Sequence, residues 1–244
     1  MKSKWCGWGV TTIGPSHIIS GLPNQDSWLY KQFVWGEVIA VSDGVGSHKH
    51  SKIGSKMACS AVIEATKLFI TTISIIRNEE IENYFRLIHS IWRVKLGQYL
   101  PSETSATCLF AIRYKEKILL GRLGDGLIIV TSDKEESILL NDIKTDSFSN
   151  ITFSLTSKFS FIEWEYSILD AKKYNSVLLC TDGISDDLVR GSEEDFAKSI
   201  YETYKSYDPK RRYFEILHWL KNWPTPKHSD DKTIACLDKV SKNG

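Results

Sequence analysis

The chain has 244 residues, 42% hydrophobic and 25% charged, a globular composition long enough to bury a large core. Its 31 basic and 30 acidic residues leave a net charge of +1, which excludes broad electrostatic attraction to nucleic acid or to a membrane surface. Five scattered cysteines without CxxC spacing, no hydrophobic signal core in MKSKWCGWGVTT, and a best apolar stretch (LFITTISII) too short and Thr-rich to span a bilayer together predict a soluble cytoplasmic protein.

Residues 4–12 and 27–42 read as strands, with breaks at Gly14-Pro15 and from Gly21 to Gln25. Two amphipathic helices follow. Over 52–73, Ile53, Met57, Ala61, Ala65, Leu68 and Phe69 recur at three- and four-residue steps; over 80–99, Ile81, Tyr84, Phe85, Ile88 and Trp92 do the same. Strands return at 105–113, 116–123, 126–132, 161–169 and 175–181. Segment 133–160 is polar, rich in Ser and Thr and weakly patterned, as in a flap or functional loop. Ser192-Glu-Glu-Asp195 starts a helix, and Asp208-Pro209 opens another that runs through Leu220 and stops at Trp223-Pro-Thr-Pro226. A last strand covers 232–238. Runs of strands separated by helix pairs predict α+β layers in one domain, 1–244.

Three apolar runs end in Asp-Gly: VIAVSDG (38–44), LLGRLGDG (119–126) and SVLLCTDG (176–183). Composition predicts about one such pair by chance. A strand end followed by Gly presents a carboxylate beside backbone that can turn sharply and expose its carbonyl. A fourth acidic pair, Asp230-Asp231, opens an apolar run. Carboxylates that converge from several strand ends repel one another, and a hard divalent cation, Mg²⁺ or Mn²⁺, relieves that repulsion through oxygen ligands. Each piece has a plainer reading. Asp43 and Asp182 also suit turns after strands, Asp125-Gly126 suits a type I′ hairpin turn, and Asp230-Asp231 suits the flank of the last strand.

The ordered set Asn24-Gln25-Asp26, Ser42-Asp43-Gly44-Val45-Gly46, Ser105-Ala106-Thr107, Gly124-Asp125-Gly126, Thr181-Asp182-Gly183-Ile184-Ser185-Asp186 and Asp230-Asp231-Lys232-Thr233 resembles the type 2C metal-dependent Ser/Thr protein phosphatases, most of all their short bacterial branch. The resemblance implies a four-layer α-β-β-α sandwich of two antiparallel sheets flanked by helix pairs. It implies two Mn²⁺ or Mg²⁺ ions, with a third in many bacterial members. Asp43 would bridge two ions and the Gly44 carbonyl would bind one. Asp182 and Asp230 would complete the first ion's shell. Asp125, with Asp182 and Asp186, would hold the third, and Asp26 would act through bound waters. On this pattern Asp43, Asp182 and Asp230 are the catalytic set, and a variable flap falls at about 133–175. A metal-bridged water or hydroxide would attack phosphorus in a phosphoserine or phosphothreonine protein, without a covalent intermediate. The implied partners are a phosphoprotein and a cognate Ser/Thr kinase, with no nucleic acid and no membrane.

The chain departs from the family pattern in places. Gln25 stands where a Glu is common, and Gly21 where eukaryotic members carry a phosphate-gripping Arg. Val45 stands at the position of their His, and Ser47 replaces a usual Gly. Arg122 and His17 are candidate phosphate-binding substitutes, each also readable as an ordinary strand or loop residue, and His48 and His50 read as loop histidines. These departures, with the aromatic C-terminal helix (Tyr213, Phe214, Trp219, Trp223), leave open a binding or regulatory module with weak turnover. A small phosphate-ester hydrolase would use the same site.

Overall fold

Fully apolar strands need cover on both faces, and two stacked sheets with outer helices provide it. A computed structural model describes residues 4–141, 153–224 and 229–240. One antiparallel sheet has the order β1 (Trp5–Thr12), β10 (Lys232–Lys239), β9 (Ser176–Cys180), β6 (Leu127–Thr131), β7 (Ile138–Leu140). The other has the order β2 (Ser27–Phe33), β3 (Gly36–Ser42), β4 (Cys108–Tyr114), β5 (Lys117–Leu123), β8 (Glu165–Asp170). The helices are α1 (Pro15–Ser20), α2 (Ser51–Thr72), α3 (Ile81–Lys95), α4 (Asp182–Ser185), α5 (Glu193–Tyr204) and α6 (Pro209–Lys221).

Alternation along each strand divides the apolar side chains between layers. Ile39 and Val41 of β3 pack between the sheets, with Leu109, Ile118 and Leu120 beside them and Ile128, Val177, Leu179 and Leu237 from the facing sheet. Val38 and Ala40 turn the other way, onto Ala58 and Val62 of α2 and Phe85 of α3. On the opposite outer face, Leu178, Cys180, Ile234 and Cys236 meet Ala197 and Ile200 of α5 and Ile216 and Leu220 of α6. The layering is therefore α-β-β-α, as the motifs imply. Phe85 anchors the α2–α3 side, stacking on Trp164 at 4.4 Å and meeting Phe110 edge-on at 5.8 Å. Burying a side chain of that size stabilises the fold by roughly 2–3 kcal/mol.

Caps and cysteines follow the sequence. The Asp208 side chain accepts from Lys210 N and Arg211 N at 3.0 Å each, closing the start of α6. Cys59, Cys108, Cys180 and Cys236 are buried, Cys6 is exposed, and all five are free.

Two readings need correction. Residues 27–42 are a hairpin, β2 and β3, that turns at Val34-Trp35 and pairs Phe33 with Gly36. Asp125-Gly126 is not a hairpin turn, because β5 pairs with β4 and β8 while β6 pairs with β7 and β9. The chain crosses there from one sheet to the other, and Gly124 (φ 89°) and Gly126 (φ 105°) take the left-handed backbone that the crossing requires. The stretch expected to be a flap, 133–175, contains two strands, β7 and β8, and a segment fixed to the core. Leu155 N donates to Ala106 O at 2.8 Å, and Leu155 and Trp164 are buried; residues 142–152 of that stretch lie outside the described residues. In the C-terminal helix region, Trp219 and Trp223 pack on the core, but Tyr213 and Phe214 are exposed.

Candidate functional site

Five separate elements deliver carboxylates to one edge of the sandwich. Asp43 follows the last residue of β3. Its backbone is clamped to the segment before β4, with Asp43 N donating to Thr107 Oγ1 at 2.8 Å and Thr107 N donating to Asp43 O at 2.8 Å. Gly44 bridges to Ala106, and Val45 N donates to Ser105 O at 3.0 Å. The Ser105-Ala106-Thr107 motif thus shapes the loop that carries Asp43. Gly44 is needed sterically, since a Cβ there would lie 2.5 Å from the Ser51 carbonyl oxygen at the start of α2.

Asp182 begins α4, straight after β9. Thr181, just before it, donates through Oγ1 to Asp26 Oδ2 at 2.8 Å and accepts from Thr233 N at 3.1 Å. Thr233 Oγ1 and Asn24 Nδ2 both donate to Thr11 Oγ1, at 2.7 and 2.8 Å. Through these hydroxyls β1, β9 and β10 hold the Asn24-Gln25-Asp26 turn in place. Asp230 precedes β10, and Lys232 Nζ donates to its carbonyl at 3.0 Å.

The electrostatics show how closely these groups gather. Burial raises the Asp26 carboxyl to about 7, and the charge of Asp231 pushes the same way. Burial also raises Asp182 to about 7, reinforced by Asp230, Asp186 and Asp125. Asp43 lies well above the carboxylate range, first through burial and then through Asp26, Asp182 and Asp230. Asp26, Asp43, Asp125, Asp182, Asp186 and Asp230 are therefore brought together. A cleft of about 430 Å³ extends from Asp125 and Asp186 past Arg190 and Glu193.

The other predicted residues have different places. Arg122 is no phosphate fork: it is buried, paired with Glu165 at 2.8 Å, and donates to Gly124 O at 2.6 Å and Gly126 O at 3.4 Å, bracing the Asp125 turn. His48 Nδ1 accepts from Ser105 N at 3.3 Å, and His50 packs edge-on against Tyr99 at 4.8 Å. His17 Nδ1 donates to Asp231 Oδ2 at 2.8 Å. Asp231, which the sequence placed only at a strand flank, is 2% exposed and also accepts from Gly14 N and Gln25 N, at 2.7 and 2.6 Å. The signal for it is weak: an Asp beside another Asp says nothing of partners more than 200 positions away.

The donor set suits a hard cation. The converging carboxylates are oxygen donors that repel one another, and the amide oxygen of buried Gln25 has no hydrogen-bond partner among the described residues.

Comparison with known proteins agrees. The family description "Protein phosphatase 2C" matches residues 13–223. The serine/threonine phosphatase stp of Listeria welshimeri is 22% identical over 184 residues, covering 66% of this chain and 72% of that protein. The catalytic domain of the serine/threonine protein phosphatase PstP, solved with two manganese ions, superposes with a TM-score of 0.64 at 17% identity, covering 97% of this chain and 99% of that one. Stp1 of Staphylococcus aureus gives 0.61 at 15% identity, covering 98% and 95%. The fold and these relatives define a metal-dependent serine/threonine protein phosphatase. The chain belongs to the protein phosphatase 2C family.

Proposed function

We propose that this chain dephosphorylates phosphoserine and phosphothreonine in proteins, with Mn²⁺ or Mg²⁺ held by Asp43, the Gly44 carbonyl, Asp182 and Asp230. Asp125 and Asp186, with Asp182, would hold a third ion, and Asp26 would act through bound waters. One observation carries the reading: burial raises Asp26, Asp43 and Asp182 alike, and the charges of Asp26, Asp182 and Asp230 push Asp43 up further, an arrangement that costs stability without a cation among them.

Bound ions supply an activated water and offset charge on the phosphoryl oxygens. The chain's own part is placement. The Thr107 clamp fixes Asp43, the Thr181 hydroxyl orients Asp26, and Arg122 braces the turn that carries Asp125. The four buried thiols are unsuited to covalent catalysis, because burial pushes Cys59, Cys108, Cys180 and Cys236 up, away from the reactive thiolate.

Among the described residues no helix is long and apolar enough to cross a membrane. A cytoplasmic phosphoprotein, modified by a cognate Ser/Thr kinase, is the partner that fits. Hydrolysis of phosphopeptides with Mn²⁺, with chelator, and by the Asp43→Asn protein tests the proposal. Activity should need the ion and be lost in the variant. Metal-independent turnover, or binding of phosphopeptides without hydrolysis at any Mn²⁺ concentration, would overturn it; the latter outcome would favour the regulatory module.

A further inference from the structure

The turn between β1 and β2 carries no guanidinium, since Gly21 stands at the family's arginine position. It carries an imidazole instead. A ring nitrogen of His17, a carboxylate oxygen of Asp230 and one of Asp231 lie within 4.8 Å of one another. Asp231 is not a spare charge in this group. Gly14 N and Gln25 N donate to its two oxygens, at 2.7 and 2.6 Å, and it is almost wholly buried. So fixed, its Oδ2 accepts the Nδ1–H of His17 at 2.8 Å.

With Nδ1 donating to the carboxylate, Nε2 is the nitrogen that carries the lone pair in the neutral ring. Imidazoles that bind metals are oriented in this way, one ring nitrogen donating to an outer carboxylate and the other free for the ion. Among the described residues no hydrogen bond to His17 Nε2 is found, and the His17 side chain is 12% exposed, so the ring is held rather than solvated.

We propose that His17 is a nitrogen ligand of the divalent ion held by Asp230, with Asp231 as its orienting partner. This rests on the ion-holding role proposed above for Asp230. The consequence is ion selectivity. Mg²⁺ keeps to oxygen ligands and water, whereas imidazole suits the transition metals, so a nitrogen donor favours Mn²⁺. The neutral Gln25, in place of an anionic donor, makes an added ligand more useful here.

The test uses the full chain and Mn²⁺ below one equivalent. Pulsed electron paramagnetic resonance of the wild type should show ¹⁴N modulation from a bound imidazole. His17→Gln keeps a donor for Asp231 but has no imidazole, and His17→Ala provides a second variant, with the melting temperature of each checked. Both should lose the ¹⁴N signal. Mn²⁺ affinity by calorimetry should fall by roughly 10- to 100-fold, while Mg²⁺ affinity stays within about twofold. Bound Mn²⁺ with no imidazole nitrogen in the wild type, or a nitrogen signal that survives in both variants, overturns the role of His17 and leaves the metal-holding carboxylates standing. Failure of Mn²⁺ to bind the wild type at all overturns both.

Discussion

Metal-free protein should lose stability between about pH 5 and about pH 8. Asp26 and Asp182 are each raised to about 7, from an ordinary value of 3.8. The native state then keeps protons that the unfolded chain has already released. Stability falls as the pH climbs from the unfolded value towards 7 and is level above it. Within the measured window one such group accounts for about two pK units, or roughly 3 kcal/mol at about 1.36 kcal/mol per unit. Asp26 and Asp43 titrate as a pair, and Asp182 feels Asp230, so the total is roughly 3–5 kcal/mol rather than a sum over every carboxylate. For a chain of this length that lowers the melting temperature by roughly 6–20 °C. His89, whose pKa burial lowers, works in the opposite direction; comparing the same protein with and without Mn²⁺ cancels its share. The assay is scanning calorimetry across pH in chelator and in saturating Mn²⁺. Bound Mn²⁺ displaces the protons of the cluster, so the loaded protein should show a smaller fall, the remainder coming from buried Asp238, whose carboxyl burial also raises. Asp182→Asn in chelator should match the wild type near pH 5 and exceed it near pH 8. A metal-free melting temperature that is flat or rising across the window, and identical in the variant, refutes the claim of a strained carboxylate cluster.

Asp43→Asn should reduce Mn²⁺-dependent phosphopeptide hydrolysis by at least roughly 10²-fold, with circular dichroism unchanged. Arg122→Ala removes the Glu165 pair and leaves the Gly124 and Gly126 carbonyls short of a donor; urea unfolding should show a loss of about 2–3 kcal/mol, and Mn²⁺ titration a weakening of the binding step that depends on Asp125. Phe85→Ala, at a fully buried position, should cost about 3–5 kcal/mol while leaving the Mn²⁺ affinity of the folded protein unchanged. Gly44→Ala places a methyl 2.5 Å from the Ser51 carbonyl oxygen, so calorimetry should show weaker Mn²⁺ binding with only a modest fall in melting temperature.

Strand ends were the most readable part of the chain. An unbroken apolar run needs both faces covered, and VIAV and SVLLC are indeed buried residue by residue in β3 and β9. Their Asp-Gly ends therefore converge at one edge, as expected. LLGRLGDG misled because the same dipeptide serves two geometries. A hairpin and a crossing between stacked sheets both need positive φ beside a strand end, and nothing local separates them. The segment 153–164 was hard to read for another reason. Its packing rests on Leu155, Phe159, Phe161 and Trp164, which are irregularly spaced among polar residues, so no single period appears.

The acidic pair before β10 shows where local reading stops. Asp230 and Asp231 are identical in type and adjacent, yet neighbours at a strand entrance face different surroundings. Asp230 joins the repelling carboxylates, while Asp231 turns to the β1–β2 turn and accepts Gly14 N, Gln25 N and His17 Nδ1. One is short of positive charge and the other is satisfied, which makes them separable by experiment. Asp230→Asn should relieve repulsion on Asp182 and abolish Mn²⁺ binding without unfolding the chain. Asp231→Asn keeps an acceptor for only some of its three donors, so it should cost roughly 1–3 kcal/mol in urea and loosen the turn that carries Gln25 and Asp26. If the two variants instead behave alike in both measurements, the division of labour between these neighbours is wrong.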